Sequence, residues 1–174
     1  DAALAVAGSH VVTWADGTEF DLGGDWDRIS MYHSLSEAAG VEITPATSVA
    51  DLQALANKEG VEVHLANHGK LVEELWEHFV KDELTRPTFV MDFPVETSPL
   101  VKEHRSVPGV VEKWDLYVRG FELATGYSEL NDPVIQRERF VQQVEHLRQN
   151  MAAARGRMPD AALRSRMARD VAAL

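Results

Sequence analysis

The sequence predicts an α+β fold, in which an antiparallel sheet is flanked by helices. Alternating apolar residues on both sides of a glycine-containing turn indicate two hairpins, at residues 10–22 and 114–132. Between them, residues 70–81 carry apolar side chains at helical spacing and predict an amphipathic helix. Hairpins and helices in separate stretches of one chain are typical of α+β proteins.

In the first 60 residues, glycines and one capping residue set the predicted boundaries. Gly40 and Gly60 each follow a short helical pattern, as a helix C-cap does. Ser48 precedes the second of these helices and is its predicted N-cap. The predicted elements are the end of a helix at residues 1–7, strands at 10–14, 18–22 and 25–31, and helices at 34–39 and 48–59.

In the second half, prolines mark where elements stop and start. The helix predicted at 70–81 has an apolar stripe and is stopped by Arg86-Pro87. A strand rich in β-forming residues follows at 88–93. Asp132-Pro133 provides an N-cap and a proline at the first helical position, so a long helix is predicted from there.

The hairpin at 114–132 carries the candidate site. A two-residue turn at Arg119-Gly120 pairs Tyr117 with Glu122 and places Asp115 diagonally from Glu122, on one face. Their Cβ atoms are then about 7 Å apart. A Mg²⁺ ion that also binds phosphate oxygens can span that gap, because it uses one or two carboxylates. The alternative is a pair of solvated carboxylates on an exposed sheet face.

Side-chain parity predicts an irregularity in the second strand. Thr125, Tyr127 and Glu129 share one face of a regular strand, but Glu122 falls on the other. All four line one pocket only if a β-bulge lies between Glu122 and Thr125. Bulges are common beside active sites, so we expect one there.

Four segments resemble one known family. They are Gly69–Glu77, Pro87–Leu100 with its Phe-Pro-Val-Glu-Thr-Ser-Pro-Leu string, Trp114–Asp132 with its Gly-Tyr-Ser-Glu-Leu-Asn-Asp string, and Gln136–Phe140. In sequence and spacing they resemble the C-terminal part of the catalytic domain of class II lysyl-tRNA synthetases of the actinobacterial type. The resemblance covers roughly residues 1–143 and implies part of the antiparallel class II sheet flanked by helices.

The resemblance implies a role for five residues. Asp115 and Glu122 match the acidic positions that bind ATP and Mg²⁺. Glu129 matches the carboxylate that receives the lysine ammonium, which it holds by a charge-assisted hydrogen bond. Tyr127 matches the aromatic residue along the lysine stem. Thr125 stands where many family members have Asn and implies a hydrogen bond to the amino acid.

Three further family signatures are not found in this sequence: a helix–strand element that builds the dimer, an Arg-containing hairpin for the α-phosphate, and a Gly-rich strand with an Arg-bearing helix for the γ-phosphate. The resemblance therefore implies a fragment of a lysine–tRNA ligase that does not activate lysine alone, with tRNA a partner only of an intact synthetase. The alternatives are a non-catalytic module that binds an amino acid or a partner protein, and a degenerate, truncated gene product.

The composition limits the cellular locations and the binding partners that are expected for this chain. The net charge of −11 makes non-specific attraction to tRNA weak or repulsive. The chain has no cysteine, which excludes disulfides and thiol chemistry. No apolar stretch long enough for a membrane span and no signal-peptide pattern are found, so we expect a cytoplasmic protein that does not enter membranes.

Residues 144–174 form an Ala- and Arg-rich tail of doubtful membership in the family. Positions 151–174 hold five Arg, no Lys and two Asp, so their net charge is +3. Such composition is typical of GC-rich DNA translated in any frame, and a frameshift near 144–150 is one hypothesis. An ordinary amphipathic helix is the other.

For the other residues that could bind a metal or a ligand, a structural role is the favoured interpretation. His64 and His68 have the i, i+4 spacing of a zinc pair, but Val61, Val63 and Leu65 favour a strand that separates them. The helix at 70–81 is expected to have a solvated acidic face, formed by Glu73, Glu74 and Glu77. The basic cluster after Pro99 indicates a surface loop that contains Lys102, His104 and Arg105.

A partial sheet leaves an exposed edge, so we also expect a homo-oligomer.

Overall fold

A four-stranded sheet is the centre of the computed structural model, which describes residues 2–63 and 67–157. The chain divides into two compact units, Asp1–Glu129 and Leu130–Leu174. The second contains α5 (Pro133–Arg157). The first contains α1 (Ala2–Ala7), β1 (Val11–Thr13), β2 (Glu19–Asp21), β3 (Asp27–Ser30), α2 (Met31–Ala39), α3 (Val49–Glu59), α4 (His68–Phe79), β4 (Thr88–Pro94), β5 (Val110–Val118) and β6 (Phe121–Tyr127).

The predicted α+β class is confirmed, and the main sheet is mixed. Its strand order is β3-β4-β5-β6, with β4, β5 and β6 antiparallel and β3 parallel to β4. The parallel pair arises because α2, α3 and α4 lie between these two strands in the chain, and parallel neighbours need such a long crossover. The sheet therefore carries helices on one face.

Helix α4 supplies the largest part of the core between helices and sheet. Its apolar stripe is fully buried and packs with residues of β4 and β5. The helix begins two residues earlier than predicted because Asn67 Oδ1 accepts a hydrogen bond from the Lys70 amide at 2.7 Å. The buried stripe comprises Leu71, Val72, Leu75 and Trp76.

Helices α2 and α3 flank α4 and are bounded largely as predicted. Ser48 is the N-cap of α3, with its Oγ accepting a hydrogen bond from the Asp51 amide at 3.1 Å. Gly40 and Gly60 end the two helices with φ of 67° and 73°, in the left-handed region that glycine adopts without strain. Helix α2 begins at Met31, directly after β3, and not at Ser34 as predicted.

A smaller core lies on the other face of the sheet. The predicted hairpin at residues 10–22 is confirmed as the β1–β2 pair, a separate two-stranded sheet. Phe20 from this hairpin packs against Leu116 and Val118 of β5. The β5 residues that alternate with Asp115 and Tyr117 are therefore held by this second core.

In the second unit, α5 begins as the sequence predicts. Asp132 Oδ1 accepts hydrogen bonds from the amides of Val134 and Ile135, at 2.9 and 3.2 Å, and Pro133 occupies the first helical position. The helix runs without a break through residue 144, the first residue of the predicted Ala- and Arg-rich tail. Residues 158–174 lie outside the described part, so the frameshift hypothesis stays a prediction. None of the described helices is long and apolar enough to cross a membrane.

Candidate functional site

The β5–β6 hairpin has the predicted turn and register. Arg119 and Gly120 have φ of 51° and 71°, the positive values that a type I′ turn requires at both central positions. The turn pairs Val118 with Phe121 and Tyr117 with Glu122. The register that placed Asp115 and Glu122 on one face is therefore confirmed at this end of the hairpin.

The predicted β-bulge is also present, at Leu123. Pairing passes from Tyr117 opposite Glu122 to Leu116 opposite Ala124, which leaves Leu123 as the extra residue of β6. Asp115 then lies opposite Thr125. Because the bulge restores parity, Glu122 and Thr125 share the face of Asp115 and Tyr117.

Asp115 is a buried carboxylate with one oxygen paired and one free. Its residue is only 2% exposed, and its Oδ2 lies 2.8 Å from Lys113 Nζ. Its Oδ1 is buried and has no hydrogen-bond partner among the described residues. The Lys113 ammonium also lies 4.0 Å from the centre of the Phe93 ring, in a cation–π contact. One of the two oxygens of Asp115 therefore still has the capacity to accept a hydrogen bond or bind a cation.

Asp115 is one of the residues that line a polar cavity of about 170 Å³ between α4 and the sheet. Two acidic residues of α4 contribute to it, which corrects the interpretation of the helix face as simply solvated. Glu74, by contrast, forms an outer pair with Lys70 at 2.9 Å. The cavity is lined by Met31, Glu73, Trp76, Glu77, Phe93, Lys113, Asp115, Tyr117 and Glu122.

The cavity disfavours extra negative charge. Burial raises the pKa of Glu73, against the opposing effects of a Thr97 hydrogen bond and of Lys70 and Lys113. Burial also raises the pKa of the Tyr117 phenol, reinforced by the charges of Asp115 and Glu122. Such an acidic, partly desolvated cavity favours cations.

Thr125, Tyr127 and Glu129 lie farther along the same face and are exposed. The Thr125 hydroxyl donates a hydrogen bond to the Trp114 carbonyl at 3.5 Å, and Tyr127 pairs with Lys113. Glu129 forms an isolated bridge with Val101, outside the regular strand. The lysine-binding roles of these three residues stay predictions.

The weaker candidates have structural partners. His68 begins α4, stacks on Tyr32 and lies 3.7 Å from Glu96, while His64 lies outside the described residues. No group of three or more His, Asp or Glu residues suited to a metal ion is found within residues 2–63 and 67–157. In the predicted surface loop, Arg105 pairs with Glu112 at 2.8 Å.

Lys113 is the site residue that sequence reasoning missed. A signal was available, because Lys113 precedes Asp115 by two positions and strand alternation places both on one face. The helix residues of the cavity carried no such local signal, because only tertiary packing brings Glu73 and Glu77 to β5.

Comparison with known proteins identifies the family. The model for tRNA synthetases class II (D, K and N) matches residues 5–161. The chain belongs to the class II tRNA synthetases. It is 64% identical over 145 residues to the lysine–tRNA ligase of Kineococcus radiotolerans. The aligned residues make up 82% of this chain and 29% of the relative.

Two other relatives are similar to the same part of this synthetase chain. The lysine–tRNA ligase of Mycolicibacterium gilvum is 63% identical over 136 residues, or 76% of this chain and 27% of the relative. That of Mycobacterium tuberculosis is 55% identical over 143 residues, or 78% and 28%. The chain spans less than a third of the length of these curated relatives.

Proposed function

We propose that this chain forms one wall of the lysine and ATP–Mg²⁺ site of a lysine–tRNA ligase. The observation that carries the proposal is the bulge at Leu123, which gathers Asp115, Glu122 and Thr125 on one face of the β5–β6 hairpin. Similarity to lysine–tRNA ligases supports the choice of amino acid.

The far end of this face suits a lysine side chain. Glu129 offers a carboxylate to the ammonium, and the ring of Tyr127 offers an apolar wall to the aliphatic stem. Such a carboxylate discriminates against amino acids that lack the cation, because its charge then stays unpaired in the bound state. The Thr125 hydroxyl donates to the Trp114 carbonyl, and we expect its oxygen to accept a hydrogen bond from the same ligand.

Mg²⁺ fits the end of the face near the turn. Asp115, whose Oδ1 has no partner among the described residues, and Glu122 line the same cavity. Mg²⁺ in proteins is often held by one or two carboxylates together with phosphates. When bound, the ion would neutralise phosphate charge. Asp115 and Glu122 would hold it in place.

In the longer protein, we propose ATP-dependent activation of lysine followed by its transfer to tRNA, in the cytoplasm. Positioning and charge neutralisation would supply most of the catalytic effect, and these are contributions that a rigid sheet can make. The chain's net charge of −11 makes non-specific attraction to tRNA weak or repulsive, so we expect the main tRNA contacts elsewhere in that protein. A non-catalytic module that binds an amino acid is the second candidate, favoured because this sequence has no recognisable Arg-containing hairpin for the α-phosphate.

Calorimetry with paired ligands tests the binding proposal. L-lysine should release heat on binding to the chain. L-norleucine, which has the same carbon chain but lacks the side-chain ammonium, should not. Glu129→Gln should weaken lysine binding about tenfold or more, since it removes a charge-assisted hydrogen bond. Glu19→Gln, which alters an exposed carboxylate of β2, is the matched control and should bind as the parent does.

Two outcomes separate the candidates. Lysine-dependent exchange of pyrophosphate into ATP by the longer protein supports the enzyme, and lysine binding without exchange supports the non-catalytic module. Equal heats for lysine and norleucine, or no heat with lysine and with ATP–Mg²⁺, would contradict the proposed site.

A further inference from the structure

The acidic residues of the cavity differ in whether they are already neutralised. Glu77 lies 3.0 Å from Lys81, just beyond the end of its own helix. Glu73 lies 3.8 Å from Lys70, an ammonium that it shares with Glu74. Among the ion pairs of the described residues, none includes Glu122. The charge balance next to the sheet therefore depends on Asp115, Glu122 and one cation.

That cation is Lys113, and the structure holds it firmly. Its ammonium is 2.8 Å from Asp115 Oδ2 and 4.0 Å from the centre of the Phe93 ring, and its side chain is 20% exposed. Two carboxylates and one ammonium give a local charge of −1. A divalent ion entering alone would meet a neighbouring positive charge and only this small net attraction.

We propose that Lys113 is a positioning residue that excludes free divalent cations from the Asp115–Glu122 site and admits them with a nucleotide. The inference rests on the proposed function, because it assumes that this site binds ATP–Mg²⁺. Lys113 holds Oδ2 of Asp115 at 2.8 Å, which leaves Oδ1 as the oxygen available to the ion. The phosphates supply the negative charge that balances both cations.

The charge argument gives opposite signs for the free ion and for its nucleotide complex. Removing the Lys113 charge takes away repulsion from a free M²⁺ ion, and it takes away attraction for an M²⁺–ATP complex, whose net charge is negative. A neighbouring charge changes each affinity about tenfold in partly solvated surroundings. A purely structural role of Lys113 would weaken both.

The experiment uses Mn²⁺, which takes the same oxygen ligands as Mg²⁺ and whose free form is counted by electron paramagnetic resonance. Lys113→Gln keeps an N–H donor for Asp115 and removes the charge. It should bind Mn²⁺ about tenfold tighter and Mn²⁺–ATP about tenfold more weakly than the parent. Lys113→Arg keeps the charge and should resemble the parent. Near-ultraviolet circular dichroism checks folding.

The outcomes distinguish this inference from the proposed function. If Asp115→Asn leaves binding of both Mn²⁺ and Mn²⁺–ATP unchanged, the proposed metal site itself is wrong. If Asp115→Asn weakens binding but folded Lys113→Gln moves both affinities together, or neither, the role of Lys113 alone is overturned. If Lys113→Gln does not fold, Phe93→Leu takes its place, because it removes the ring that contacts the Lys113 ammonium. It should change the affinities for Mn²⁺ and Mn²⁺–ATP in the same opposite directions, by smaller factors.

Discussion

At the scale of single residues, the carboxylates of this chain differ mainly in what surrounds them. Asp115 is buried and has one oxygen paired with Lys113. Glu129, by contrast, is exposed. Burying a charge without a partner costs much more free energy than leaving it exposed to water. Loss of a partner is therefore expected to cost more at Asp115 than at Glu129.

The pair of His68 and Glu96 gives a residue-scale prediction about pH. The contact with Glu96 raises the pKa of His68. Burial alone would raise the pKa of Glu96, but the His68 contact and its own backbone amide lower it overall. The His68 contribution to stability is present below its unfolded pKa and is lost as pH rises through the raised value. The Glu96 contribution is lost as pH falls through the lowered value.

Stability from this pair is therefore greatest between about pH 4.5 and 6.5, the two usual pKa values. We expect Glu96→Gln to destabilise the chain more at about pH 5.5 than at about pH 8.5, in urea unfolding. The difference should stay below about 1 kcal/mol, because solvent screens the pair. Glu37→Gln in the exposed His33 pair is the control. An equal effect of Glu96→Gln at both pH values would contradict the assigned contact.

At the scale of elements, the sequence was informative where local chemistry decides the structure. The Arg119-Gly120 turn fixed the register of the β5–β6 hairpin, and parity alone located the bulge between Glu122 and Thr125. The parallel pairing of β3 with β4 could not be predicted in this way, because it depends on how three intervening helices pack. The same holds for the entry of Glu73 into the cavity.

Cross-strand packing on the far face of the hairpin gives an element-scale prediction. A Cβ built at Gly126 would lie 2.4 Å from the Trp114 ring, so the indole occupies the space of a side chain. Gly126→Ala should destabilise the chain by about 1–3 kcal/mol, the usual cost of overpacking, in urea unfolding. In a Trp114→Ala background the cost should fall well below this. A cost that stays the same in both backgrounds would show that the indole does not occupy this space.

At the scale of the whole molecule, the chain covers 29% of the length of its Kineococcus relative and has an open sheet edge. Strand β6 has one neighbour in the described sheet, and its Phe121 and Leu123 are 64% and 58% exposed. Exposed apolar edge strands favour pairing with other chains. The expected homo-oligomer stays a prediction that these features support.

Sedimentation velocity tests that expectation directly. The mass should rise with concentration, and Leu123→Lys should reduce the rise because a charge on an edge strand opposes pairing. Val49→Lys changes an exposed apolar residue of α3 and is the matched control. A monomer at every concentration would contradict self-association through this edge.

We propose that one face of the β5–β6 hairpin, made continuous by the bulge at Leu123, binds lysine and ATP–Mg²⁺. Backbone amide NMR during titration with both ligands shows which residues the ligands reach. We expect chemical-shift changes to concentrate around Asp115, Glu122 and residues 125–129. Shifts centred on the β1–β2 hairpin and the opposite face of the sheet, or no shifts at saturating ligand, would contradict it.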